Sequence, residues 1–594
     1  MKRSHRTLLS SVFLAVLAVT GTVDAAQPTP NDPLQLVPAE SLFCVRISNL
    51  SGTLSQLDQF LTGVSPIGTS MMVMGQMSMI LGGQQPNGLD MSGSFALFGP
   101  LPGGEGPDPT RIGVLVPISD YQKFVTGNPN VAPPDAQGIS LIGANGEQKL
   151  ATVQAGAFAL VTTTNNKQAL AEMKNWMPRG TTSLAQRLGA DELKRAQNSP
   201  AWAYANIQTA AKMFGHLVQA KIQQIKAMSQ QMQDQGGPPM MGRMDGIMDM
   251  YSSLLDMFMR ETQFVSLTLN PTATALNAGI AVAAVPETGM AKTLQGGVAS
   301  PDRSFARYFK NGAIANFIAS VDTAYLTRLN DVGMGMFAKM MGKDATDPQI
   351  QQMKKLATDS ANAIGGTLAG SFLVDATSKP PFAMRYVVGL KDLQAYNRIL
   401  DESTKLFSSG ALGDIDKDMG LQTNFELQRK AETYKGVAID GFKVSYTVTD
   451  PNSQQAQMVA AMYGPGMNGR IAVVDNLLLY AVAGDPSPVI RELIDQAKAG
   501  STTQAATEVD TAARLIPGAE KADFFTTVNL LRAFQMVMTM MPMPTPPVAV
   551  QSQSNIAVAG NADGGKLSIE IAVPKQHVTE IMATVAKMQQ QERN

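Results

Sequence analysis

The sequence predicts an α+β protein of two homologous halves, and three observations carry that prediction. Segments of the first half recur in the second at a nearly fixed distance. Val116-Pro117-Ile118-Ser119-Asp120-Tyr121-Gln122-Lys123-Phe124 returns as Val388-Gly389-Leu390-Lys391-Asp392-Leu393-Gln394-Ala395-Tyr396, and Leu54-Ser55-Gln56-Leu57 as Leu326-Thr327-Arg328-Leu329, both at an offset of 272 residues. Strand-like runs of β-branched and aromatic residues then alternate with helically spaced apolar residues in the order βαββα, four times over. A spare hairpin and helix sits between the two copies in each half. Helices separated by hairpins imply mainly antiparallel sheets, with helices on one face.

The first module reads as a strand at Leu42 to Ile47, a helix carrying Leu54, Leu57, Phe60 and Leu61, strands at Phe95 to Phe98 and Arg111 to Val116, and a helix capped by Ser119 or Asp120. The second has a strand at Trp202 to Ile207, a long helix, a hairpin at Phe264 to Leu269 and Ala275 to Val285, and a helix after Pro286. The third opens at Ile314 to Ala319 and closes its hairpin at Val388; the fourth runs from Phe524 to Val528 through Ile556 to Ala559 and Lys566 to Val573, with a last helix after Pro574. Proline is tolerated at a helix start because its missing N–H would be unpaired there. The spare hairpin and helix, Val153 to Trp176, matches Val473 to Lys498, where the offset has grown to 320 residues. The second half therefore carries 48 extra residues between about Asn397 and Arg470. The first half is longer instead from about Gln219 to Thr262. These departures from symmetry are the natural places for asymmetric function, since loops tolerate variation.

Residues 1–25 read as a signal peptide. Lys2, Arg3 and Arg6 precede an apolar run from Leu8 to Val19, and Val23-Asp24-Ala25 offers a small-residue cleavage site. The run is too short to span a bilayer, which takes about 20 residues, and no later stretch approaches that length. The expected organisation is a first half over 26–300 and a second over 301–594, exported to the periplasm or beyond, with no transmembrane anchor in the mature chain. A net charge of −1 excludes the basic footprint of a nucleic-acid binder. An apolar content of 44% supports large cores. The single cysteine, Cys44, allows no internal disulfide and falls in an apolar strand, where an inert buried thiol is expected.

Two motifs carry a resemblance. Leu36-Val37-Pro38-Ala39-Glu40 before a strand, and Val116-Pro117-Ile118-Ser119-Asp120-Tyr121 at a strand end, resemble those of a class of uncharacterised exported bacterial proteins in which such motifs repeat along the chain. The resemblance implies no known activity and no site residues.

Chemistry is sparse. Beyond residue 25 the histidines are His216 and His577, both expected at the surface, too few for a three-histidine zinc site. No nucleophile elbow or phosphate-binding loop is present. Catalytic and cofactor-binding residues are therefore not assigned; a hydrolase using carboxylates of the second-half insert is the alternative to a binding role. Asp414, Asp416 and Asp418 alternate as in the start of a calcium loop, but Met419 stands where glycine is needed. The 37 methionines are the strongest anomaly. Thioethers suit copper(I), yet clusters at Met71 to Met79, Met228 to Met259, Met334 to Met341 and Met536 to Met543 follow the first strand and helix of each module. Repetition at one structural slot points to packing or an apolar surface. Met241, Met244, Met248, Tyr251, Leu255 and Phe258 are the candidates for such a surface, toward an envelope protein or a hydrophobic ligand.

Overall fold

The computed structural model describes residues 32–593, apart from 66–67, 83–85, 101–110, 145–146, 163–165, 178–182, 235–243, 297–298, 341–343, 376–377, 409–419, 451–453, 465, 501–505 and 541–550. The signal-like segment lies outside the described residues. The chain divides into two units: one holds residues up to Val218 together with Phe258–Thr288, the other Gln219–Met257 together with Gly289 onward.

The described residues of the first unit form nine strands: β1 Phe43–Ile47, β2 Phe95–Gly99, β3 Gly113–Pro117, β4 Ser140–Ala144, β5 Glu147–Ala155, β6 Phe158–Thr162, β7 Ala201–Asn206, β8 Thr262–Pro271 and β9 Ala275–Ala284. They pair in the order β9-β8-β7-β1-β2-β3-β6-β5-β4, each neighbour antiparallel. Side chains alternate between the two faces of a strand. Cys44, Phe98, Leu115, Leu160, Trp202, Tyr204 and Phe264 therefore share one buried face, covered by Leu170 and Met173 of the helix Lys167–Trp176 and by Leu184 and Ala196. Trp202 stacks on Tyr204 at 5.6 Å, and Tyr204 meets Phe264 at 5.5 Å.

The opposite face is covered too. Ile47 and Ala201 pack beneath Leu50 and Leu54 of the helix Leu50–Leu61, and Ala159 and Val161 beneath Phe124 and Val125 of the helix Tyr121–Thr126. Helices thus lie on both faces of the sheet, which corrects the one-face expectation. The reason is visible in β2 and β6. Phe95-Ala96-Leu97-Phe98 and Phe158-Ala159-Leu160-Val161 are apolar at every position, and a strand without a polar side needs cover on both.

The described residues of the second unit form ten strands. Its strands are β10 Ala313–Val321, β11 Ile364–Val374, β12 Phe382–Leu390, β13 Leu421–Tyr434, β14 Val437–Val448, β15 Gly466–Val474, β16 Leu477–Ala483, β17 Phe524–Val528, β18 Ile556–Asp563 and β19 Lys566–Pro574. They pair antiparallel in the order β19-β18-β17-β10-β11-β12-β16-β15-β14-β13. Ile318, Ala369, Val387, Leu479 and Phe525 face Ile490, Leu493 and Ile494 of the helix Ser487–Ala499 and Val509 of the helix Thr507–Ala513. On the other face Val388, Ile471 and Leu478 meet Tyr396 and Leu400 of the helix Leu393–Ser408. β13 falls within the stretch from Asn397 to Arg470. It is broken by a bulge between Gln428 and Glu432, with Lys430 at φ 51°.

Candidate functional site

The helix Thr69–Leu81 has the sequence TSMMVMGQMSMIL and carries no charged residue. Its start is fixed by Asp58 of the preceding helix, whose carboxylate accepts the Thr69 and Ser70 N–H groups and the Ser70 hydroxyl. A carboxylate at a helix N-terminus satisfies donors that have no partner inside the helix. Gly68 lets the turn pass close: a Cβ there would lie 3.2 Å from the Asp58 carboxylate. The helical period then divides the side chains between two faces. Val73 and Met77 turn inward onto Ile47, Leu50, Leu54 and Ala201, while Ile80 and Leu81 join the cluster around Phe124. Met71, Met72 and Met79 turn outward, with 74%, 57% and 67% of their surface exposed.

Other helices carry exposed apolar residues as well, among them Met582 and Val585 on the helix Lys575–Arg593. Leu530, Phe534 and Val537 recur at i, i+4 and i+7 on the helix Leu530–Met540. Tyr251 and Leu255, two of the residues singled out from the sequence, are exposed on one side of the helix Met244–Glu261, and Phe258 on the same helix is half-buried. Met244 and Met248 lie in the backbone of that helix; Met241 lies outside the described residues. Asp414, Asp416 and Asp418 also lie outside them. Among the described residues no three His, Cys, Asp or Glu side chains gather as a metal site.

The densest polar cluster was missed from the sequence. Asn529 follows β17 and caps the next helix, its side-chain oxygen accepting the Arg532 N–H at 3.0 Å. Its Nδ2 reaches Ser552 Oγ, the Ser554 carbonyl and Asn555 Oδ1 at 2.8 to 3.0 Å. Arg532 forms a two-pronged pair with Glu508 (2.8 and 3.0 Å) and also donates to the carbonyls of Ala313 and Ser552. Burial opposes ionisation of Glu508, but the Arg532 guanidinium and the Gly312 N–H outweigh it and hold the carboxyl below its ordinary range. Glu580 accepts from the hydroxyls of Ser552 and Ser554, both at 2.6 Å. Burial works against that carboxylate as well, and the two hydroxyls win, keeping its pKa low.

His577 belongs to this cluster and corrects the surface expectation. It is fully buried, with Nδ1 3.2 Å from Ser554 Oγ and 3.8 Å from Glu580 Oε2, while Nε2 has no partner. The segment 551–555 folds over the helix start, so a polar position in a first turn becomes an interior one. Burial pushes the imidazole pKa down, against the pull of Glu580.

Ser554, His577 and Glu580 supply the residue types of a nucleophilic triad but not its order. A serine nucleophile passes its proton to histidine, with the acid on the far ring nitrogen. Here Ser554 donates straight to the carboxylate, and both Ser554 and His577 are shut from solvent. The arrangement clamps the chain ahead of β18 onto the helix Lys575–Arg593. Three carboxylates between Asn397 and Arg470 are held in ion pairs: Arg429 bridges Asp401 and Asp440 at 2.6 and 2.7 Å, and Arg491 holds Glu432 at 2.8 Å. Cys44 is buried, and burial raises its thiol pKa far out of the reactive range.

No helix among the described residues is long and apolar enough to cross a membrane. No family model matches the chain and no curated protein matches it. Among solved structures, crystal form IV of TP0453 aligns with 8% identity over 50% of this chain and 99% of that one, at a TM-score of 0.20.

Proposed function

We propose that the protein is an exported, non-enzymatic binding protein of the cell envelope, built from two homologous halves. Its Met-rich helices offer an apolar surface to a protein partner or a hydrophobic ligand. The observation that carries this reading is the outward row of Met71, Met72 and Met79 on a helix with no charge. Apolar side chains grouped on a surface mark sites that something else covers. Methionine suits such a site because its flexible, polarizable side chain adapts to a partner's shape. Each would contribute about 1–2 kcal/mol on burial, below the full-burial value because each is already partly covered.

The signal-like residues 1–25 support export. The strand order, run through in both units with β13 added, supports descent from one duplicated half. So does the cap at the strand–helix junction, where Asn49, Asn206 and Asn529 each accept the N–H three residues on.

The test is binding of an apolar fluorescent probe and co-fractionation with envelope components. The wild type is expected to do both, and Met71→Gln/Met72→Gln/Met79→Gln to lose most of the probe signal while keeping its circular dichroism. Probe binding that survives in the triple variant overturns the assignment to this helix.

A further inference from the structure

The segment leading into β18, Gln551-Ser552-Gln553-Ser554-Asn555, has no apolar side chain. Ser552, Ser554 and Asn555 are nevertheless buried. Its side chains are therefore anchored by polar contacts, and these run in one direction. Asn529 Nδ2 donates to Ser552 Oγ, and Ser552 Oγ donates to Glu580 Oε2. Ser554 Oγ donates to the same oxygen, since an ionised carboxylate only accepts. With its one proton committed, Ser554 Oγ can only accept at its 3.2 Å contact with His577 Nδ1. The neutral ring thus carries its proton on Nδ1. Nε2 keeps a bare lone pair, with no partner among the described residues.

A second proton has one place to go, Nε2. There it makes a charged donor on a fully buried ring, which is costly without an acceptor. The neighbouring charges do not relieve it. Glu580, on the ring's own helix, lies 3.8 Å from Nδ1, and that oxygen already takes two hydroxyl protons. Arg532, from the helix Leu530–Met540, acts on the ring with like charge. Glu508, from the helix Thr507–Ala513, is committed to Arg532 and to Asn555 Nδ2. Burial lowers the imidazole pKa and outweighs the pull of Glu580 and of the Ser554 backbone, with Arg532 adding to the fall. The segment 551–555 is what can give way. Lifting it exchanges polar contacts for water and exposes no apolar side chain of its own, so local opening needs far less than unfolding the sheet.

We propose that residues 551–555 form an acid-released strap: protonation of His577 at Nε2 frees the segment from the helices Leu530–Met540 and Lys575–Arg593 while the sheet beneath stays folded. The test is residue-resolved hydrogen exchange of the full chain between about pH 7 and about pH 5.5, each rate divided by that of the unstructured chain at the same pH. Gln553, whose N–H donates to Glu580 Oε1 at 3.4 Å, is the reporter within the strap. Once the strap is open, His577 titrates as an ordinary histidine, near 6.5, so protection at Gln553 should fall by up to about tenfold per pH unit below that value. Protection in β10, β11 and β12 should hold. Glu508 and Glu580 stay ionised throughout this window, because their carboxyls are held below the ordinary range. His577→Asn should show one level of protection at every pH.

Protection at Gln553 that is the same at every pH in the wild type overturns the strap. So does a fall shared equally by β10, β11 and β12, which would mean that the unit opens as a whole. An equal pH dependence in His577→Asn assigns the release to another group and overturns it as well. The wild-type profile decides the case even if the variant fails to fold.

Discussion

At the scale of single residues, the buried polar cluster sets how the protein responds to pH and to substitution. His577 is held neutral because burial disfavours the imidazolium, so its pKa is depressed below the ordinary 6.5. The unfolded chain then binds more protons than the folded one as pH falls below about 6.5, and stability falls with it. The melting temperature should drop between pH 7 and 5 in the wild type and much less in His577→Asn. Equal slopes in the two proteins would show that the loss comes from elsewhere. Glu508 and Glu580 act in a lower window, since their depressed pKa values withdraw stability only as pH falls below about 4.5. Removing one partner of a largely buried ion pair leaves the other charge stranded, at a cost of about 3 kcal/mol. Glu508→Ala should lose roughly that much in urea unfolding, and the further change Arg532→Met should recover part of it. None of this was legible beforehand. Residues 508, 529–532, 552–555 and 577–580 come together only through the fold, and His577 three positions before Glu580 looks like any polar first turn.

At the scale of elements, strands and helices were readable because period-2 and period-3.6 patterns are local. β17 runs over Phe524–Val528, the residues its aromatic and β-branched run picks out, and β10 extends the predicted Ile314 to Ala319 by one residue at its start and two at its end. What failed was the placing of helices on one face. Period alone marks Cys44, Arg46 and their neighbours as alternating, but the fully apolar β2 and β6 were the signal that both faces need cover. The start of the Met-rich helix depends on one contact from outside it. Asp58→Ala should cost about 1 kcal/mol and raise hydrogen exchange over Thr69–Leu81 while leaving the helix Leu50–Leu61 protected. Unchanged exchange there would show that the inward contacts of Val73 and Met77 suffice. Tyr251, Leu255 and Phe258 could be placed on one helix from spacing; Met71, Met72 and Met79 could not be recognised as exposed, because their helix is apolar on every side.

At the scale of the whole molecule, each unit closes a core of its own, one around Trp202 and Leu170 and the other around Leu479 and Leu493. Both tryptophans, Trp176 and Trp202, fall in the first unit, so tryptophan fluorescence reports that unit while circular dichroism reports both. Leu170→Ala and Leu493→Ala remove fully buried side chains and should each cost about 2–5 kcal/mol. Leu170→Ala should lower the fluorescence midpoint. Leu493→Ala should lower a dichroism transition and leave fluorescence in place; a matching fall in fluorescence would mean that the two cores unfold as one. β13 lies between Asn397 and Arg470, a stretch in which the sequence reading placed no strand. The strand itself was hidden there, because its many charged residues do not resemble a buried strand.

The strand β13 bears on whether a second chain can extend the sheet. Fourteen residues long and last in the order of the described strands, it would by length alone be a template for another chain to extend, the first step toward a fibre. Glu426, Arg429, Lys430 and Glu432 line it with charge of both signs, and the bulge at Lys430 interrupts its run of pairing sites. Charge and bulge together make β13 a poor strand for a second chain to extend.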